Sequence, residues 1–155
     1  MDAKLEGDSL PIPPESLSSG EILLRLSRIV PGVASRGFVP YFHFRVIARD
    51  GSDVGHINFR VGDTEHVRFC AGHVGFEIFE TFRGHGYALQ ACRAIAPFVR
   101  SIYQSVTITC DPDNDASRRT LERLGAEFVD EVVVPSPDPH HDQRSRIKRR
   151  YRWTP

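Results

Sequence analysis

Long apolar runs are missing from this chain. No stretch approaches the roughly 20 residues that a helix needs to cross a bilayer, and no basic segment followed by an apolar core opens the sequence as in a secretory signal. Net charge is missing too. Twenty Lys and Arg balance twenty Asp and Glu, so the whole-chain field favours neither nucleic acid nor a membrane surface as a partner. Cysteine is scarce: Cys70, Cys92 and Cys110 are odd in number and far apart, imply no disulfide framework and match no metal or redox spacing. That usage fits a reducing, cytoplasmic setting. There is no internal repeat.

What is present reads as one globular domain. The 155 residues are 40% hydrophobic and 26% charged, enough to bury a core. Residues 1–20 carry Pro11, Pro13 and Pro14 among Ser, Glu and Asp, and read as a mobile or loosely packed lead-in to a single domain over 21–155.

The periodicity then places the elements. Glu21 to Val30 is apolar and ends at Pro31-Gly32; periodicity alone admits a helix, but length and punctuation favour a strand. Tyr41 to Ala48 alternates, and Asp50-Gly51 turns it into Val54 to Val61 as a hairpin. In a third strand over His73 to Phe79, Val74, Phe76 and Ile78 share one face and His73, Gly75 and Glu77 the other. The period changes at Ala88, Ala91, Cys92, Ile95, Phe98, Val99 and Ile102, a helical stripe whose Pro97 should kink or shorten it. Val106 to Cys110 is a short strand. Asp111-Pro112-Asp113-Asn114 caps a helix to Leu124, which Gly125 ends. Glu127 to Val134 and Arg146 to Trp153 are the last strands. The parity of Ile147, Tyr151 and Trp153 makes the basic C-terminal cluster the outer face of a strand.

Chemistry concentrates between the third strand and the first helix. In Arg83-Gly84-His85-Gly86-Tyr87-Ala88, glycines let backbone N–H groups approach an anion, and the helix dipole favours it. The third glycine and downstream acid of a dinucleotide fingerprint are absent, as is the Gly-Lys-Ser/Thr of a nucleotide loop.

The segment Arg83-x-x-Gly86-x-Ala88 resembles the acetyl-CoA signature of the GNAT superfamily of N-acetyltransferases. Gly75-Phe76-Glu77-Ile78 looks like the family's fourth strand. Asn114-Asp115-Ala116-Ser117 and Glu122-Arg123-Leu124-Gly125-Ala126 resemble its next conserved helix and the approach to the following strand. The resemblance implies an α/β (α+β) fold: a mixed, mostly antiparallel sheet of about six to seven strands, with a parallel splayed pair and flanking helices. It implies acetyl-CoA as acyl donor and no metal, with a small-molecule or protein amine as acceptor. Main-chain groups of Ile78, Phe79 and Glu80 would pair with the pantetheine arm. Backbone amides of Arg83, Gly84, His85, Gly86, Tyr87 and Ala88 would hold the pyrophosphate. Asn114 would hydrogen-bond near the pantetheine, and Ser117 and Arg118 or Arg119 would reach phosphates.

Two departures from the family pattern stand out. The Tyr that many members place seven residues after the capping Asn is Leu121 here, which cannot protonate a departing thiolate; Ser117, Thr120, Tyr151 or water are the alternatives. Val30 to Pro40 is too short for the two helices that usually wall the acceptor site. The loop Pro135 to Ser145 or a partner subunit, as in a homodimer, could close that side. For the general base, Glu77 and His73 share a parity, and His56 lies on the preceding strand. His140-His141 lack the fixed spacing of a zinc site. The competing functions are a non-catalytic acyl-CoA-binding module and, against the null net charge, nucleic-acid binding by the basic strand.

Overall fold

The computed structural model describes residues 10–135 and 146–155. Ten of the 13 residues between Val133 and Ile147 thus lie outside the described part, with the loop candidates Asp138, His140, His141 and Asp142 among them.

Alternating side chains give the first sheet its two faces. β1 (Leu17–Ser19), β2 (Ile22–Val30), β3 (Tyr41–Ala48), β4 (Asp53–Arg60) and β5 (Val74–Ile78) form an antiparallel meander in sequence order. On one face Phe42, Phe44, Val46, Ile57 and Phe59 are almost fully buried. Helix α1 (Tyr87–Arg100) covers that face, and the Phe98 ring meets Phe42, Phe44 and Phe59 edge-on at 5.0, 6.4 and 5.3 Å. Such pairs add to area burial because ring edges are positive and faces negative. Pro97 neither ends nor shortens α1. It lies on the exposed side near the last turn, and Arg93, whose carbonyl loses its helical partner, is itself exposed to water.

The lead-in is partly built into the sheet. Leu17 pairs with Leu24 across β1 and β2, and Leu17 is buried. The connection between β2 and β3 holds only a short turn (Ala34–Arg36), so no helix stands over the other, polar face of the sheet there.

The remaining strands form a second sheet. β6 (Val106–Cys110), β7 (Glu127–Val133) and β8 (Ile147–Trp153) take the order β6-β8-β7, and α2 (Asp115–Leu124) connects β6 to β7. The expected α+β architecture is present; its strands form two sheets of five and three, which part between β5 and β6, the pair expected to splay. Their meeting point is narrow. The His73 N–H donates to Thr107 O (2.7 Å), and the Thr107 N–H donates to His73 Nδ1 (3.1 Å), at the N-terminal ends of the two strands. Beyond that point no ladder joins them. Gly72 permits the approach: at φ +68°, a Cβ there would lie 2.9 Å from Thr107 O.

In β8 the basic residues are paired one for one. Lys148 meets Asp111, Arg149 meets Glu131, Arg150 meets Asp130 in two bonds, and Arg152 meets Glu127. Three of the four carboxylates sit on β7, directly across the ladder. The positive surface that a nucleic-acid reading requires is cancelled locally. Among the described residues no helix is long and apolar enough to cross a membrane.

Candidate active site

Where β5 and β6 part, a cleft of about 490 Å³ opens between the β5 edge, the first turn of α1 and the first turns of α2. Its charged lining is Glu77, Arg83, Arg119 and Arg123, three cations to one carboxylate. Two helix N-termini point to the same space. At α1 the N-cap is Gly86 in the left-handed region (φ +74°), with no side-chain cap. The first helical bond there runs from the Gln90 N–H to Gly86 O (3.1 Å), leaving the preceding N–H groups without a helical carbonyl. These orphan donors, the aligned dipole and the glycine give the turn the chemistry of an anion cradle. At α2, Asn114 is the N-cap, and its Oδ1 accepts from the Ser117 N–H at 3.1 Å.

Most residues singled out in the sequence come together here. Glu77, Ile78, Arg83, Gly84, Gly86, Tyr87, Ala88, Asn114 and Ser117 all line the cleft, and Arg119 joins them. Phe79, Glu80 and His85 do not line it. The Phe79 N–H donates to Val54 O (2.9 Å), its carbonyl accepts from the Phe82 N–H (2.9 Å), and Glu80 O accepts from the Arg83 N–H (3.2 Å). These groups serve the fold. Ile78 O faces away from β4 and accepts from Arg83 Nε at 2.9 Å.

His73 stands apart from Glu77. It follows Gly72 in a turn, so the strand's pleat does not carry back to it, and its side chain is buried. A backbone N–H can only donate, so His73 Nδ1, facing Thr107, holds the lone pair. Nε2 then carries the proton and donates to Gly62 O at 3.1 Å. Nδ1 thus ties β5 to β6 of the second sheet, and Nε2 ties it to the end of β4.

A polar cluster stands on the other face of the first sheet. His56 lies directly across the ladder from Glu77, and His43 directly across from Asn58. His43 Nδ1 donates to Asn58 Oδ1 (2.6 Å), and its Nε2 faces Arg45 Nη1 (3.4 Å), which fixes the tautomer. Arg45 is clamped by Asp53 through two 2.9 Å bonds. Burial, the neighbouring His43 ring and Arg45 hold His56 below the ordinary imidazole value, while Glu77 and Asp53 pull it upward. Glu77 and His56 were legible as neighbouring-strand candidates; their clustering with His43 needed the ladder register.

Other reactive groups are silenced. Burial pushes the Cys92 thiol to about 12 and raises Cys110. Leu121 is fully buried in the core, as is the ring of Tyr151, whose hydroxyl accepts from Arg149 Nε. Thr120 lines the cleft, but its hydroxyl donates to Ala116 O (3.0 Å). Among the described residues no three His, Cys, Asp or Glu side chains converge as a metal-binding group.

Comparison with known proteins agrees with this arrangement. Residues 13–127, well over half of the chain, match the family described as the acetyltransferase (GNAT) domain. The chain belongs to the GNAT acetyltransferase family. This GNAT domain also resembles solved acetyltransferases in fold. A GNAT-family acetyltransferase from Bacillus anthracis shares 17% identity over 90% of this chain and 98% of that one, with a TM-score of 0.64. The microcin C7 self-immunity acetyltransferase MccE, solved with acetyl-CoA and AMP, shares 15% identity over 74% of this chain, with a TM-score of 0.58. The GNAT domain spans 61% of the MccE chain. An acetyl transferase from Salmonella typhimurium that modifies the N-terminal serine of ribosomal protein L7/L12 shares 16% identity, 74% and 64% coverage and a TM-score of 0.56. No curated protein matches the sequence.

Proposed function

We propose that the chain transfers an acetyl group from acetyl-CoA to a primary amine. The observation that carries this proposal is the convergence of an uncapped, glycine-led helix N-terminus, a second helix N-terminus and three arginines on one cleft beside an open strand edge. Those groups suit an elongated polyanion such as acetyl-CoA. The amides of Gly84, Gly86, Tyr87 and Ala88 hold the pyrophosphate, and Arg119 and Arg123 neutralise further phosphate charge. Of the three strand-end residues expected to pair with the pantetheine arm, Ile78 bears that role, with Arg83 Nε yielding its carbonyl.

Attack on a thioester requires a neutral amine, so the ammonium proton must be accepted nearby. Glu77 takes that role, because it lines the cleft and also stands on the polar face opposite His56. His56 is the adjoining group to which the proton passes. His73 takes no part, since both its ring nitrogens are engaged. With Leu121 and Tyr151 in the core and the Thr120 hydroxyl bonded to Ala116 O, Ser117 is, of the side chains weighed for this role, the hydroxyl that can hydrogen-bond the departing thiolate.

Thermal unfolding with and without acetyl-CoA tests the proposal. A hundredfold excess over the dissociation constant stabilises the fold by about 2.7 kcal/mol. No stabilisation at saturating acetyl-CoA defeats it. Buried Leu121 also suits a binding module without catalysis; release of CoA thiol in the presence of an amine separates the two.

A further inference from the structure

On the polar face stands a half-buried cation, Arg60, that no described carboxylate balances. Arg60 ends β4, opposite Tyr41 of β3, and its guanidinium lies 5.6 Å from the Tyr41 ring centre. Nη1 makes two long bonds, to Ala71 O (3.4 Å) and Gly72 O (3.5 Å). No described group accepts from Nε or Nη2, neither is sealed from solvent, and no described carboxylate pairs with Arg60. Arg45 on the same face is occupied by Asp53. A partly buried charge normally has a partner, because desolvation without one is costly. Burial accordingly lowers the Arg60 pKa.

The guanidinium is also placed. Gly75 gives it room: a Cβ there would lie 3.2 Å from Nη1 and 3.9 Å from Nη2. It therefore rests over Gly75, two residues along β5 from Glu77 on the same face. Alternate residues of a strand are about 7 Å apart. Between β2 and β3 the chain forms only the short turn Ala34–Arg36 and supplies no helical wall to this face.

We propose that the polar face binds an amine that also carries a carboxylate or other anionic group, with Arg60 receiving the anion about 7 Å from the amine held at Glu77. This rests on the acetyl-transfer proposal and narrows its acceptor to compounds bearing both charges, with several bonds between them. A simple α-amino acid, whose two groups share one carbon, is too short.

CoA release with 6-aminohexanoate and with hexylamine tests it, because the two amines differ mainly in the terminal carboxylate. A charge-assisted bond to Arg60 should favour 6-aminohexanoate by about tenfold or more in kcat/KM, mainly through KM. Arg60→Met should bring the two amines together and leave KM for acetyl-CoA unchanged. Gly75→Ala, which keeps the charge but crowds it, should weaken the preference and decides the matter if Arg60→Met does not fold. Equal use of both amines by the wild type, acetylation of neither, or an equal loss for both in the variants overturns the assignment. Thermal stabilisation by acetyl-CoA is measured alongside. If the wild type lacks it, the acetyl-transfer proposal itself fails; if it persists without a preference, only the role of Arg60 falls.

Discussion

Replacing His73 by alanine separates a structural role from a chemical one. The imidazole accepts from the Thr107 N–H at 3.1 Å and donates to Gly62 O at 3.1 Å, and its ring lies 5.0 Å from that of Tyr103. Truncation leaves one donor and one acceptor without this partner, at about 1–3 kcal/mol each when buried. A loss of about 4 kcal/mol is the middle of that range, before any loss of packing against Tyr103. For a domain of this size that lowers Tm by about 12 °C, at roughly 3 °C per kcal/mol. Urea unfolding at fixed pH gives the free energy. Acetyl-CoA titration, at a temperature where the variant is folded, gives the state of the cleft. His73→Ala should lose stability and bind acetyl-CoA more weakly, since the junction of β5 and β6 sets where the strands part. An unchanged unfolding free energy with a large fall in kcat would refute this and return His73 to the chemistry.

Gly86→Ala should cost about 1–2 kcal/mol, because its φ of +74° is unfavourable for an L side chain. In a thermal-shift titration it should also greatly reduce the stabilisation by acetyl-CoA, as the Cβ faces otherwise open space at the anion cradle. The lowered pKa of His56 makes stability fall as pH drops below about 6.5, where the unfolded state takes up the proton first. Chemical unfolding from pH 7.5 to 5 should show that slope, and His56→Gln should flatten it. Leu121→Tyr should not raise kcat, because the site is fully buried and overpacking costs about 1–3 kcal/mol; a faster, equally stable variant would contradict the placement of this side chain in the core.

Local signals made most of the elements readable. The turn at Asp50-Gly51, the Asn114 cap and the left-handed Gly125 each depend on neighbours within a few residues, and each is present. The glycine turn that opens α1 at Gly86 was legible for the same reason. What the sequence did not disclose depends on distant partners. His73 seemed to share the face of Glu77 because alternation was extended one residue past the start of β5. Only its bonds to Gly62 and Thr107, 11 and 34 residues away, show otherwise. The basic run 146–152 was legible as the outer face of a strand, but the register that sets the acids of β7 beside it was not. Main-chain groups of Phe79 and Glu80 looked available because a short helical turn after β5 leaves little trace in composition.

The ladder of ion pairs between β7 and β8 has a consequence for how the chain finds its fold. Thirteen residues separate these strands in the chain, and the ion pairs and buried rings select the correct offset. A slip of one position would turn Tyr151 and Trp153, both buried, outward and part Glu127, Asp130 and Glu131 from their arginines. β8 also lies between β7 and β6, and Arg152 pairs across the ladder with Thr107, where the two sheets join. The strand that comes last in the order of elements therefore fixes the alignment on which the mouth of the cleft depends, and removal of β8 should compromise acyl-donor binding by residues far earlier in the chain.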